Sequence, residues 1–300
     1  MAMKSQKKAY LFALAAISCW STIGSAFKIS LRYLEPLDLL FFSSLVACIS
    51  LFVILVIQGK LPLLKKLTIT EVMLSAFLGL LNPFLYYIVL LEAYDLLQAQ
   101  EAGTLNYIWP LFLVLLSIPM LKQKISLGSI FAILISFTGI IIISTHPEMA
   151  AEMPVSLKDP DRVPGVLLAV GSAIFWALYW IFNIKDQREE VSKLFLNFCF
   201  GFLYTLLAMT VKWQFHLPSW QGLTGAVYLG LFEMGITFVL WLYALKFSAT
   251  TAKVSNLIYL SPFISLIIIH FVVGEAILIS TLVGLVFIVG GIILQQYLKR

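Results

Sequence analysis

Apolar stretches of about 20 residues follow one another along almost the whole chain, and they restrict its fold more than any other feature. A helix of this length crosses the ~30 Å hydrocarbon core of a bilayer. The sequence therefore predicts an all-α integral membrane protein with ten transmembrane helices. The predicted spans are about 9–31, 37–57, 70–94, 98–121, 126–144, 164–184, 192–212, 219–247, 250–272 and 277–298.

Composition agrees with a chain embedded in lipid. Hydrophobic residues make up 61% of the 300 residues and charged residues 12%, whereas an ordinary soluble domain has about 25% charged residues. Cys19, Cys48 and Cys199 lie in separate apolar stretches without a C-x-x-C pair, which predicts neither a disulfide framework nor a zinc site. We expect no metal, no cofactor and no nucleic-acid partner. Lipid and a small-molecule substrate are the expected partners.

Lysine and arginine residues predict the orientation in the membrane. If the N-terminus lies in the cytoplasm, 15 of the 20 Lys and Arg residues fall on the cytoplasmic side of the ten predicted spans. Both termini are therefore expected in the cytoplasm.

The two halves of the chain carry matching polar and proline positions. Asn82 precedes Glu233 by 151 residues, and the segment Tyr107–Pro110 precedes Tyr259–Pro262 by 152. A repeat of five spans has an odd number of crossings, so its second copy must enter the membrane from the opposite side. We predict two inverted five-helix repeats. They are residues 1–146 (helices 1–5) and 164–300 (helices 6–10), joined by a connecting loop at 147–163.

Several matched positions fall near the centres of their spans and predict a site at the membrane midplane. Pro110 and Pro262 each leave a backbone carbonyl without its helical partner, which suits a helix that borders a cavity. Packing alone is the alternative explanation of these prolines. The predicted substrate-binding residues are Trp20, Asn82, Tyr86, Trp109, Trp176, Tyr179, Glu233 and Asn256.

Glu233 is the central residue of this hypothesis. An ionised side chain at the middle of a membrane helix costs about 3 kcal/mol or more. Three interpretations stay open: a proton carrier, an anchor for a substrate amine, or a carboxyl group bonded to a neighbouring helix. Glu101 and Lys253 each precede their proline by nine residues and are candidate gates or ordinary interfacial charges.

Four sequence motifs carry a resemblance to a known family. They are C-W-S-T-I-G-S-A-F-K at Cys19–Lys28, A-I-F-W-A-L-Y-W at Ala173–Trp180, the two Tyr-x-x-Pro helices, and Gly274-Glu275 before the last span. The chain resembles the drug/metabolite transporter superfamily, specifically the ten-helix EamA-type permeases, over its full length. It departs from the pattern at Lys122-Gln123, where many relatives have Gly-Glu.

The resemblance implies a secondary transporter in the bacterial inner (plasma) membrane. It further implies a central cavity lined by spans one, three, four, six, eight and nine, with spans five and ten at the contacts of a homodimer. We expect an exporter of amino-acid-like or amphipathic compounds that works by alternating access. Sugars, nucleotide-linked or drug-like compounds are the alternative substrates. A channel or a non-transport membrane protein is the alternative class. The absence of a Walker A motif predicts that ATP does not drive transport through this chain, and three scattered histidines without an H-E-x-x-H motif disfavour an enzyme.

Overall fold

The computed structural model describes residues 5–122, 126–145, 160–212, 217–248, 254 and 256–298, whose regular secondary structure is helical and contains no strand. The helices are α1 (Gln6–Ser30), α2 (Pro36–Ile57), α3 (Leu61–Leu64), α4 (Ile69–Gly79), α5 (Tyr86–Leu96), α6 (Ala99–Asn106), α7 (Trp109–Leu121), α8 (Leu127–Thr145), α9 (Arg162–Lys185), α10 (Glu190–Lys212), α11 (Trp220–Leu229), α12 (Ile236–Phe247), α13 (Ser261–Val273) and α14 (Ile279–Leu298). Two π-helical segments, Leu80–Leu85 and Gly230–Gly235, join α4 to α5 and α11 to α12, and a 3-10 turn at Asn256–Leu260 precedes α13.

Seven helical stretches within the described residues are long and apolar enough to cross a membrane. They are Gln6–Ser30, Pro36–Ile57, Ile69–Leu96, Ala99–Met120, Arg162–Asn183, Glu190–Lys212 and Trp220–Phe247. Three shorter apolar helices cover Ile130–Ser144, Leu257–Val273 and Ile279–Leu294. Large apolar side chains such as Leu207 and Phe271 are exposed on the outer faces, as suits contact with lipid tails. The prediction of an all-α membrane protein is confirmed.

Proline and glycine residues determine where several helices begin and end. Pro36 is the first residue of α2, and Pro110 and Pro262 occupy the first turns of α7 and α13. Proline suits these positions because the first N–H groups of a helix have no partner within it. Gly274 ends α13 in the left-handed conformation, with φ of 84°, which glycine adopts without a steric penalty.

Each π-helical segment carries one of the predicted midplane residues. Asn82 interrupts the first segment with extended backbone angles (φ −148°, ψ 119°), and the following residue, Pro83, has no N–H to donate. The second segment contains Glu233 and ends at Gly235. The hydroxyl of Thr237 bonds to the carbonyl of Phe232 and so satisfies one acceptor that the irregular helix leaves open. π-helical segments occur often at functional sites.

Two close approaches between helices depend on glycine. Gly201 on α10 lies against the ring of Pro83, and a side chain at Gly79 would meet the backbone carbonyl of Asn197. Gly139 on α8 similarly faces the backbone of Gly284 on α14. Small residues allow membrane helices to approach closely, and the resulting contacts hold the helices together in lipid.

The α8–α14 pair is also joined by a buried hydrogen bond. The Ser136 hydroxyl donates to the carbonyl oxygen of Ile288 over 3.0 Å. This bond joins residues that are 152 positions apart in the chain, and the glycine contact joins the same two helices.

Candidate functional site

A cavity of about 440 Å³ lies inside the protein and is bordered by 27 of the described residues. Its walls come from both ends of the chain, from Trp20 on α1 to Ile292 on α14. The volume is in the range of sites for small molecules. Ten of the bordering residues are aromatic: Trp20, Phe27, Tyr86, Tyr94, Tyr107, Trp109, Trp176, Trp180, Trp241 and Tyr259.

Glu233 borders this cavity and is largely buried. Its Oε1 atom accepts a hydrogen bond of 2.9 Å from the hydroxyl of Tyr87 on α5. Its Oε2 atom is buried and has no hydrogen-bond partner among the described residues. A buried carboxyl oxygen without a partner is unfavourable, so a proton or a cationic group of a ligand would stabilise it.

Aromatic side chains form a continuous wall near Glu233. The ring of Trp176 on α9 lies 4.6 Å from that of Tyr86 and 6.4 Å from that of Trp109, measured between centroids. Trp20 packs against Trp241 with their rings 5.5 Å apart. Such faces attract organic cations as well as apolar groups.

Hydrogen bonds hold part of this wall in place. The hydroxyl of Tyr86 donates to Oδ1 of Asn106 over 3.2 Å, and Nδ2 of Asn106 donates to the Ser172 hydroxyl over 2.8 Å. These bonds connect α5, α6 and α9 directly beside the cavity.

The structure brings five of the eight predicted binding residues to the cavity: Trp20, Tyr86, Trp109, Trp176 and Glu233. Asn82 and Tyr179 are fully buried and do not border it. Tyr179 stacks on Trp176 from behind, with their rings 5.9 Å apart. The side chain of Asn256 and the candidate gate Lys253 lie outside the described residues.

Asn82 belongs to a separate buried polar cluster. The side chains of Asn82, Tyr179 and Asn197 are fully buried, and the hydroxyl of Tyr179 lies close to both amides. None of these polar groups makes a hydrogen bond within the described structure. The cluster lies at the break between α4 and α5, where α10 approaches closely.

A polar layer closes one end of the helix bundle, where α6 and α9 begin. Glu101 and Arg162 form an ion pair of 3.0 Å, with both side chains largely buried. Nζ of Lys28 donates to the carbonyl oxygens of Tyr94 and Leu97, both over 2.7 Å. We call this set, together with the bonds described next, the α6–α9 layer.

The loop before α14 completes the α6–α9 layer. The carboxylate of Glu275 accepts hydrogen bonds from the backbone N–H groups of Ala99 (2.8 Å) and Gln100 (3.2 Å) at the start of α6. A carboxylate is favourable there because the first N–H groups of a helix are unpaired and carry a partial positive charge.

A second polar layer lies where α9 ends and α4 begins, and we call it the Lys60–Glu189 layer. Lys60 and Glu189 pair over 2.7 Å, and Arg188 pairs with Asp186 over 2.6 Å. Arg188 also donates to the carbonyl oxygen of Glu71 over 3.0 Å. Burial raises the pKa of Asp186 and of Glu189, but the hydrogen bonds from Arg188 and Lys60 outweigh it, and each pKa lies below its ordinary value.

Three residues of the site have roles that the sequence alone did not indicate. In the sequence, Tyr87 is one aromatic residue among many, and Arg162 is one of several charges that lie outside the predicted spans. Asn106 is a polar residue within a predicted span, four positions before Pro110. That position was a usable signal, whereas the pairing of Arg162 with Glu101 depends on tertiary structure.

Comparisons with known proteins place the chain among transporters. The model of the EamA-like transporter family matches it twice, at residues 7–145 and 163–295. A protein of Clostridium kluyveri named an uncharacterized transporter is 26% identical over 299 residues, which is 96% of this chain and 93% of that protein. The Bacillus subtilis protein named uncharacterized transporter YvbV is 24% identical over 92% of this chain and 87% of its own length. A solved crystal structure shares the fold, with a TM-score of 0.68 and 21% identity over 99% of both chains.

Proposed function

The chain belongs to the EamA-like transporter family, and on that premise we propose that it is a secondary transporter that exports small amphipathic metabolites. The observation that carries this proposal is the interior cavity, which has aromatic walls and a single carboxyl group with one unpaired oxygen. Such a cavity binds a ligand with one polar and one apolar part. The family relation supports a transporter rather than an enzyme.

We propose that ten helical spans cross the membrane as two inverted repeats, 1–146 and 164–300, joined by the loop 147–163. The double match of the family model supports this arrangement. The two π-helical segments add further support because they begin 150 residues apart, at Leu80 and Gly230. Inverted repeats place a substrate site near the bilayer midplane, where the two halves meet.

Transport would proceed by alternating access, in which the cavity faces one side of the membrane at a time. The α6–α9 layer and the Lys60–Glu189 layer lie at opposite ends of the bundle, and opening either end requires the bonds of that layer to break. Glu101 and Arg162 would then act as a gate on the side where α6 and α9 begin.

Glu233 would couple substrate movement to another charge. Its carboxyl group can hold a proton or pair with a substrate ammonium, and the two uses compete because a protonated carboxyl group has no charge to attract the ammonium. A carboxyl group used in this way would exchange protons for substrate. If the carboxyl group served only helix packing, its replacement by an amide would leave transport unchanged.

The proposed location is the bacterial inner membrane, with both termini in the cytoplasm. A homodimer would form through the outward faces of α8 and α14, where Phe131, Leu134, Val286 and Phe287 are exposed. These side chains face away from the contact between the two helices.

Counterflow in liposomes tests the transport function. Purified full-length protein is reconstituted, the vesicles are loaded with one unlabelled compound, and uptake of its labelled form is followed against empty liposomes. Amines, amino acids, sugars and nucleotide-linked compounds are compared. Saturable uptake that an internal substrate accelerates supports a transporter. Flux that stays linear with concentration would indicate a channel, and no flux for any compound would overturn the proposal.

A further inference from the structure

Glu233 is the one charged residue among the 27 described residues that border the cavity. It provides a negative group, and none of the other described residues that border the cavity is positively charged. From this asymmetry we infer that the cavity selects organic amines over the corresponding amino acids. The inference rests on the proposed transport function and narrows the substrate class from amino-acid-like compounds to amines that lack a carboxylate.

The ammonium group has a defined place. Glu233 borders the cavity, and its Oε2 atom is buried without a partner among the described residues, while Oε1 is held by Tyr87. An ammonium group beside Oε2 would form a charge-assisted hydrogen bond, which is stronger than a neutral one. The rings of Tyr86 and Trp176 add cation–π attraction in the same space.

The apolar part of the substrate has a defined place as well. Aromatic rings make up ten of the bordering residues, and Leu113, Leu245 and Ile258 extend the apolar surface. A flat or branched hydrocarbon body fits between these walls, and its burial favours binding by about 25 cal/mol for each Å² removed from water.

A carboxylate has no comparable partner. Two cations of the described structure, neither of which borders the cavity, are engaged elsewhere: Lys28 bonds to the carbonyl oxygens of Tyr94 and Leu97, and Arg162 pairs with Glu101. The carboxylate of an amino acid would therefore be desolvated near Glu233 without a cation to compensate it, since the unpartnered Nε1 of Trp180 at the cavity is a neutral donor, and the two negative charges would repel each other.

Helix starts could supply backbone N–H groups for a carboxylate, but most of those around the start of α7 are not available. Its first turn borders the cavity at Trp109 and Pro110. The N–H groups of Tyr107, Ile108 and Leu111 already donate to backbone carbonyls, and proline has none to donate. Pro262 occupies the corresponding position in α13.

The test compares ligands that differ at one group. Phenethylamine, phenylalaninamide and phenylalanine share an aromatic body and an amine, but only phenylalanine carries a carboxylate. Binding to the full-length protein in detergent is measured by isothermal titration calorimetry. It is also followed by tryptophan fluorescence, since five of the seven tryptophans border the cavity: Trp20, Trp109, Trp176, Trp180 and Trp241.

We expect phenethylamine and phenylalaninamide to bind at least tenfold more tightly than phenylalanine. Glu233→Gln is expected to weaken phenethylamine at least tenfold, while Glu92→Gln, which changes a carboxyl group away from the cavity, leaves it unchanged. Equal or tighter binding of phenylalanine, or no binding of either carboxylate-free amine, would overturn the inference. The ligand comparison needs only the unaltered protein and so does not depend on whether Glu233→Gln folds.

Counterflow with the same compounds separates the inference from the proposed function. If phenylalanine is transported and phenethylamine is not, the proposed transport function stands and the inferred selectivity for amines is rejected. Selective binding of phenethylamine without counterflow of any compound would support the selectivity of the site and reject the transport function.

Discussion

The hydroxyl of Tyr87 donates a 2.9 Å hydrogen bond to the carboxyl group of Glu233, which lies 146 residues later in the chain. The bond joins α5, just after the first π-helical segment, to the second π-helical segment. It occupies one oxygen of a carboxyl group that borders the cavity and leaves the other without a partner among the described residues. This geometry orients Glu233 toward a ligand and makes separate predictions for the two residues.

Replacing Glu233 tests whether its charge drives transport. Glu233→Gln keeps the shape of the side chain and removes the charge. If the residue carries protons, accumulation driven by a pH gradient is lost while substrate exchange partly remains. If it anchors an amine, binding of amines weakens by about 2–5 kcal/mol, as for a buried charge pair. Normal transport at every pH with unchanged affinity would show that Glu233 is structural.

Replacing Tyr87 tests positioning instead of charge. Tyr87→Phe removes the donor to Oε1 and keeps the ring, so we expect a smaller loss of amine affinity, about 1–3 kcal/mol for one unsatisfied group. Titration calorimetry with phenethylamine measures the effect in both variants. A Tyr87→Phe loss as large as that of Glu233→Gln would contradict the view that Tyr87 only orients the carboxyl group.

The Glu101–Arg162 pair provides a prediction about stability. Removing one partner of a buried ion pair costs about 3–5 kcal/mol because the other charge stays buried and unpaired. Glu101→Leu and Arg162→Leu should each lower the thermal midpoint in detergent, measured at one fixed scan rate. The double variant leaves neither charge unpaired and should lose less than the two single losses combined. If the thermal midpoint of the double variant falls by as much as the sum of the two single losses, the two residues do not act as a buried pair.

Glycine substitutions test the contact between α10 and the first π-helical segment. A methyl group at Gly201 would press on the ring of Pro83, which cannot move as a flexible chain would. Gly201→Ala should therefore lower stability by about 1–3 kcal/mol. Gly171→Ala is the matched control, because no atom lies within 4 Å of its added methyl group. Equal thermal midpoints for the two variants would contradict the observed contact.

Low pH is expected to weaken the Lys60–Glu189 layer. The pKa of Asp186 lies below its ordinary value because hydrogen bonds from Arg188 outweigh the effect of burial. A carboxyl group with a lowered pKa in the folded state stabilises that state above its ordinary pKa of about 3.9 and loses this contribution as pH falls further. Thermal midpoints from pH 7 to pH 3 should fall more steeply for the unaltered protein than for Asp186→Asn. Identical slopes would contradict the prediction.

Cysteine labelling tests the proposed orientation. Single cysteines at Ser156 and Gln187, in a chain without its three native cysteines, should react from opposite sides with a reagent that cannot cross the membrane. The reason is that one proposed span, the sixth, separates the two positions. Reaction of both from the same side of intact cells would overturn the ten-span topology.

The sequence was sufficient to predict the family and the all-α membrane class. Predicted span limits also lie close to helix ends, as for 9–31 against Gln6–Ser30, because hydropathy and proline positions report where a chain leaves lipid. The position of Glu233 near the middle of the apolar stretch Trp220–Phe247 could be predicted for the same reason.

The direction in which a side chain points could not be predicted. Both lipid-facing and interior faces of these helices are apolar, so periodicity does not distinguish them. Asn82 illustrates this limit. Its backbone is extended within the first π-helical segment, and its side chain lies toward Tyr179 and Asn197 and does not border the cavity. The partner of Arg162 was equally inaccessible, because only the folded chain brings it to Glu101.

The bond from Ser136 to Ile288 has a consequence for how the protein is made. A ribosome adds about 5–20 residues each second, so the 152 residues between the two partners take roughly 8–30 s to synthesise. During that interval α8 is already available for insertion while its glycine-lined face has no α14 to receive it. Lipid, the insertion machinery or another helix must therefore cover this face of α8 until α14 is made and takes the place of that temporary neighbour.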